Sequence, residues 1–428
     1  MNSVKIITFL ALAAGLGHAA AAEPLTLAQA REQALKLHPS ITIAELRALM
    51  AREVTTEAGA GFFPQITANA TGVGTGEAVT RLGAGTLSNS QIYDHMGVGA
   101  TVSQLITDFG RTANLTAAAR LRVRAADANV QAARAQLLLA VDTAYFSALE
   151  ARAVQAVAVK TLANRQLLFD RINAMAKSQL KSELDVRFAS VGVGEARLLL
   201  DKADNDWQSS LATLTDLLGQ RAVVSGELME EPAPTGELPA NAESLADLAL
   251  RQRPDLQRQR FERDAVHNVA TAARDARLPT IAALGTAGVL PTHDQHFERN
   301  FAVVGVNVSL PLFAGGLYRA RQHEAELQAG DADAAVQETE NNLIRDVRLA
   351  WLEAAHARER ISLTSSLLDN ANAALELAHL RFEQGLSSIV ELNQAELAQV
   401  SAEIAHTSAE YDYRVRRDIL DFLDGVLR

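Results

Sequence analysis

The sequence predicts a mostly α-helical protomer that carries a few membrane-spanning β-strands and is built as a tandem repeat. Three observations predict it. Landmarks of the first half recur in the second at constant offsets. The hydrophobic period switches from helical to two at the same place in each half. After the first residues, no segment offers the roughly 18 unbroken apolar residues of a membrane helix, so any crossing of a bilayer must use strands.

The chain opens with the pattern of an export signal. Lys5 supplies a positive charge, Ile6 to Gly17 an apolar stretch, and Ala20-Ala21-Ala22 an A-x-A site before Glu23. The expectation is a signal peptide over 1–22 and a mature chain beginning near Glu23. That chain carries no lipid, because none of the 428 residues is cysteine. The same lack removes disulfides, thiolate metal sites and a cysteine nucleophile. A net charge of −11 with no basic stripe excludes nucleic acid as a partner.

Helical segments follow in order. Leu25 to Leu37 is stopped by His38-Pro39, and Thr42 to Gly61 is stopped before Phe63-Pro64. A proline-free run extends from Thr112 to about Lys177, and Glu183 to Leu218 follows it. Such a run would measure on the order of 100 Å as helix, too long for a compact domain, so it must project and pair with its successor. His38-Pro39 aligns with Arg253-Pro254 and Phe63-Pro64 with Leu278-Pro279, both offset by 215. Thereafter the offset is 206: Asp108-Phe109-Gly110 with Ala314-Gly315-Gly316, Tyr145 with Trp351, Ser182 with Ser388, Leu218-Gly219 with Asp424-Gly425. The first repeat is placed at 23–230, with a β-hairpin near 64–106 and a helical hairpin near 110–219. The second is placed at 231–428, with the corresponding hairpins near 279–312 and 316–425.

Between the proline and glycine landmarks the pattern alternates. Gln65 to Thr71, Gly97 to Ser103 and Ala302 to Leu310 place Ile66, Ala68, Ala70, Val98, Ala100, Val102, Val304, Val306 and Val308 on one apolar side. Thr280 to Gly288 is a fourth, less regular strand, and Thr75 to His95 and Pro291 to Asn300 read as loops. Four strands of this length can cross an outer membrane obliquely but cannot close a barrel, and open edges are not tolerated in lipid. Three copies would supply 12. A soluble sheet packed on helices could show the same alternation, so the strands alone do not decide.

With these landmarks placed, the chain resembles the outer membrane efflux protein (TolC-like) family over essentially its whole mature length. The resemblance rests on LTLAQAREQALKLHP from Leu25, FFPQITANATG from Phe62, VSQLITDFGR from Val102 and RPDL from Arg253. It rests equally on ARLPTI from Ala276, VSLPLFAGG from Val308 and RFEQGLSSIVELNQAEL from Arg381. It implies a homotrimer with a 12-stranded β-barrel in outer membrane lipid and a long α-helical barrel in the periplasm. The implied function is an exit duct for an inner-membrane pump and a periplasmic adaptor protein, in drug, metal or protein export. The alternative is a periplasmic helical adaptor or scaffold that never enters the membrane.

The resemblance also implies site residues. Glu391 and Gln394, three apart and so on one helix face, match positions that ring the narrowest part of the duct. Gln179 and Leu180 in the first hairpin turn, and Gly385 and Leu386 in the second, are the expected adaptor contacts. Asp185 is the acid of the facing hairpin. The first turn has Gln179 where a tight reversal favours glycine, and Phe382 and Ser387 stand where relatives use a latch tyrosine and arginine. No reaction is called for: there is no P-loop, no H-E-x-x-H and no Ser/His/Asp arrangement, and no cofactor is expected. Gly72, Gly74 and Gly76 read as loop glycines, and His293, Asp294 and His296 as a solvated loop with a minor claim on metal.

Overall fold

The structure, a computed structural model, describes residues 24–74, 79–83, 89–93, 95–223, 227–232, 237–293 and 298–426. The signal segment and the start at Glu23 lie outside them, as do Asp294, His296 and Gly76. The elements are α1 (Leu27–Leu37), α2 (Pro39–Gly59), β1 (Gln65–Val73), β2 (Val79–Gly83), β3 (Asn89–Tyr93), β4 (His95–Thr107), α3 (Arg111–Lys177) and α4 (Glu183–Leu217). The chain continues through α5 (Glu243–Gln252), α6 (Pro254–Asp275), β5 (Thr280–His293), β6 (Asn300–Ser309), α7 (Leu317–Glu383) and α8 (Ile389–Leu423). The long helices α3 and α7 have 67 residues each, and their partners α4 and α8 have 35 each.

Three details differ from the sequence reading. Pro39 does not precede a gap but opens α2 as its first residue, where its missing N–H is not needed. The segment read as a loop from Thr75 to His95 holds a two-stranded ribbon, β2 paired antiparallel with β3. Strand β5 runs on through Pro291 to His293, beyond the stop expected at Gly288, and β1 reaches through Gly72. Period-two patterning fades at these strand ends, so pattern alone stops too early.

The chain divides into two units. The first comprises Met1–Leu37, Ala140–Gly236 and Glu359–Val415; the second comprises His38–Leu139, Glu237–Arg358 and Arg416–Arg428.

The second unit contains an antiparallel sheet in the order β1-β4-β5-β6. Register places Ile66, Val102, Gly285 and Val304 in one row across it, and Ala68, Ala100, Ala287 and Ala302 in the next. All nine residues expected on the apolar side therefore share one face, and the large ones are exposed, Val304 by 87%. Where the sheet meets the helices, the strand-to-helix turn uses two left-handed residues in each repeat: Phe109 and Gly110 (φ 55° and 111°), then Gly315 and Gly316 (φ 59° and 87°). In the first of these turns Asp108 Oδ2 accepts hydrogen bonds from the Thr112 N–H and hydroxyl, starting α3. In the same unit α5, α6, α7 and the end of α8 bury Leu245, Ala249, Leu256, Leu343, Val347 and Leu420 together. Trp351 Nε1 there donates to the Pro239 carbonyl at 2.9 Å.

In the first unit the matching aromatic, Tyr145, donates its hydroxyl to the Leu25 and Met229 carbonyls, each at 2.7 Å. Burial is the main cause that pushes its hydroxyl pKa up to about 12. Beside it Asp142, fully buried, receives Arg31 through two 2.7 Å hydrogen bonds. No helix among the described residues is long and apolar enough to cross a membrane.

Candidate functional site at the hairpin tips

Both helical hairpins turn with the same hydrogen bonds. In the first, the Leu180 N–H donates to the Met175 carbonyl and the Gln179 N–H to that of Ala176, each at 2.9 Å. In the second, Leu386 N–H reaches Arg381 at 2.8 Å and Gly385 N–H reaches Phe382 at 3.1 Å. This pair of bonds is the Schellman closure, which needs a left-handed residue just past the helix. Gly385 takes it at φ 72°, and Gln179 takes it at φ 61°. Gln179 thus adopts the backbone expected of a glycine, against a steric cost of roughly 1–2 kcal/mol. Gln179→Gly is expected to stabilise the first hairpin by about 1 kcal/mol, and Gly385→Ala to weaken the second by a similar amount. Hydrogen exchange at the two turns measures both. The residues that follow, Leu180 and Leu386, are 72% and 66% exposed at the extreme of each turn.

The two acids after the turns do different work. Asp185 closes a capping box: Ser182 Oγ accepts from the Asp185 N–H, while the Asp185 carboxylate accepts from the Ser182 N–H at 3.0 Å and its hydroxyl at 2.8 Å. Glu391 occupies the same place in α8, and its N–H donates to Ser388 Oγ at 3.3 Å. Its carboxylate turns away from that cap to Arg381 Nε, 3.3 Å distant, with both side chains about half exposed. Gln394 is exposed one turn on. Phe382, in the latch position, is buried, and Lys181 Nζ lies 4.0 Å from its ring centroid. This cation–π contact joins the first hairpin's turn to the second hairpin. Ser387 Oγ is buried without a hydrogen-bond partner among the described residues.

A stronger polar contact between the hairpins escaped the sequence reading. Arg165 on α3 reaches α8, with Nη1 2.5 Å from Glu396 Oε2 and 2.7 Å from Asn393 Oδ1. The side chains of Arg165 and Glu396 are only 6% and 10% exposed. Burial raises the Glu396 carboxyl above its ordinary range, outweighing Arg165 and the more distant His379. Gly192 of α4 makes room, since a Cβ there would lie 3.1 Å from Arg165 Nη1. The signal was present as a mismatch between repeats: at the 206 offset Arg165 becomes Ala371, Gly192 becomes Ala398, and Glu396 falls opposite Ser190. Among the described residues no group of three or more His, Cys, Asp or Glu is arranged to hold a metal ion. His293 makes a 2.8 Å contact from Nδ1 to the Leu290 carbonyl.

The profile of the family described as outer membrane efflux protein matches residues 30–220 and 245–426. Outer membrane protein OprJ of Pseudomonas aeruginosa is 26% identical over 327 residues, which cover 74% of this chain and 67% of OprJ. Alkaline protease secretion protein AprF of the same organism is 27% identical over 278 residues, 61% of this chain and 54% of AprF. A crystal structure of CusC superposes with a TM-score of 0.83 at 19% identity, covering 96% of this chain and 95% of CusC.

Proposed function

This chain belongs to the outer membrane efflux protein family, and we propose that three copies of it form the exit duct of a tripartite efflux pump or type I secretion system. The protein resides in the outer membrane and extends into the periplasm. In the proposed assembly a periplasmic adaptor and an inner-membrane pump deliver cargo to the helical end, and the strands release it outside. One observation carries the reading. Among the described residues the four-stranded sheet ends in two unpaired edges, β1 and β6, and it exposes an apolar face. In lipid each unpaired N–H and C=O costs several kcal/mol, so the sheet is viable there only when other copies complete it. Purified protein in mild detergent should have the mass of three copies and open stable conductances in planar bilayers. A folded monomer that forms no pores would defeat the proposal.

The duct itself does no chemistry. Export is driven by the pump, and the protein's part is to seal a path and narrow its inner end. Adaptor docking falls to the exposed Leu180 and Leu386, which give the two turns equivalent apolar ends. The constriction falls to Glu391, with Gln394 lining the adjacent turn. Three copies around an axis gather three carboxylates, which attract cations and bind multivalent ones tightly enough to block. Arg381 moderates this field without removing it, since an exposed ion pair of this kind is weak. Glu391→Gln is expected to reduce cation preference and multivalent-cation block in single-channel recordings. Asp185→Asn should leave both unchanged and cost the first hairpin about 0.5–1 kcal/mol through its cap. The opposite pattern would exchange the roles of the two hairpins. AprF is named for protease secretion, so relatives alone do not set the cargo; the adaptor and pump that copurify with this chain would.

A further inference from the structure

We propose that the second repeat binds the headgroup of an anionic phospholipid at the foot of β5 and β6. The inference rests on reading the sheet as membrane-inserted. Arg277 stands three residues before β5, and Arg319 is in the first turn of α7, soon after β6 ends. With His323 and Gln322 they line an open groove of about 560 Å³. Arg277 Nη1 donates to Gln322 Oε1 at 3.1 Å, and neither guanidinium has a carboxylate partner among the described residues. The one acid in the groove, Glu326, is already engaged, accepting from Gln322 Nε2 at 2.8 Å and lying 3.8 Å from His323 Nδ1. Two guanidinium groups with free donors suit a phosphodiester, whose oxygens they can grip in bidentate fashion.

The molecule's own duplication shows that this cluster is not required by the fold. At the corresponding offsets the first repeat has Phe62, Ala113, Thr116 and Ala117 in place of Arg277, Arg319, Gln322 and His323. The same backbone framework is therefore built without the charges, which points to a task confined to one repeat. Apolar neighbours select lipid over a free anion. Leu312 and Phe313, 88% and 91% exposed, immediately precede the α7 turn, and Leu278, 43% exposed, follows Arg277. Cations beside exposed apolar side chains at a strand end match the boundary between acyl chains and headgroups, where basic pockets capture anionic lipids.

The test is native mass spectrometry of the full protein released in mild detergent from vesicles of phosphatidylglycerol and phosphatidylethanolamine. Wild type should retain phosphatidylglycerol in preference, Arg277→Gln/Arg319→Gln should lose that retention by at least about tenfold, and Glu326→Gln should increase it. Oligomer mass and conductance should not change in either variant. Equal retention by wild type and the double variant overturns the site while leaving the membrane reading intact. Displacement of the lipid by inorganic phosphate at equal concentration overturns it in favour of a free-anion site. Failure of wild type to insert into the vesicles overturns the site and the membrane reading together.

Discussion

Replacing Arg165 with methionine is expected to destabilise the tip half of the protein by about 3–5 kcal/mol, because it strands a buried carboxylate. Glu396 is buried among α3, α7 and α8 with Arg165 as its nearest cation, and His379 stands 3.8 Å away. Burial already raises the Glu396 carboxyl above its ordinary range, against the opposing pull of Arg165 and His379. A carboxyl whose folded pKa exceeds its unfolded value weakens the fold as pH rises through that range and ceases to do so once both states are protonated. The loss in Arg165→Met should accordingly be largest at pH 8 and shrink toward pH 5. The double variant Arg165→Met/Glu396→Leu should recover most of the stability, as apolar groups of similar volume commonly replace a buried pair without loss. Denaturation followed at several pH values measures this. A loss independent of pH, or one the double variant does not repair, would show that Arg165 acts through packing alone.

Gly288→Ala is expected to impair the sheet by at least about 1–3 kcal/mol, the scale of overpacking in a tight interior. A Cβ at Gly288 would stand 2.6 Å from the Val98 carbonyl oxygen and 2.6 Å from Phe301 Cζ. Phe301, paired with Gly288 in the ladder, lays its ring across that glycine and Gly99 on the face opposite the apolar one. The carbonyl is backbone and cannot rotate aside. Combining Gly288→Ala with Phe301→Ala should therefore remain defective. Gly305→Ala, whose Cβ meets nothing within 4 Å, should insert normally. The yield of heat-resistant oligomer in the outer membrane reads all three variants.

The repeat and the strands were legible because each has a sequence period. Constant offsets located both helical hairpins, and alternation put nine side chains on the correct face of the sheet. The β2–β3 ribbon was not legible, since Val79–Gly83 and Asn89–Tyr93 are five-residue strands with too few alternations to stand out from a polar loop. Gln179 hid a different kind of information. Its residue type argues against a left-handed turn, and only the tertiary requirement to reverse two long helices overrides that preference. The Arg165–Glu396 pair was visible in principle as a place where the two repeats disagree in residue type, Ala371 and Ser190 standing at the matching positions. Periodicity cannot see it, because charges at those positions look like part of a solvated helix face until the neighbouring helix is in place. Glu391 and Asp185 likewise look equivalent in sequence, being three residues past matching serines. Their different partners, Arg381 for one and the Ser182 cap for the other, depend on what stands opposite each turn.

In the proposed assembly the membrane barrel closes only between copies of the chain, β6 of one against β1 of the next. Within one protomer β4 and β5 separate these strands, so they lie roughly 14 Å apart at the usual strand spacing, beyond the reach of a disulfide. The natural chain has no cysteine, so an introduced pair reports without background. Ile66→Cys should be combined in turn with Ala302→Cys, Val304→Cys, Val306→Cys and Val308→Cys, all on the same face as Ile66. After oxidation in outer membranes, at least one combination should give a covalent trimer that reduction returns to monomer. Fully inserted protein that stays monomeric in every combination would contradict closure between chains.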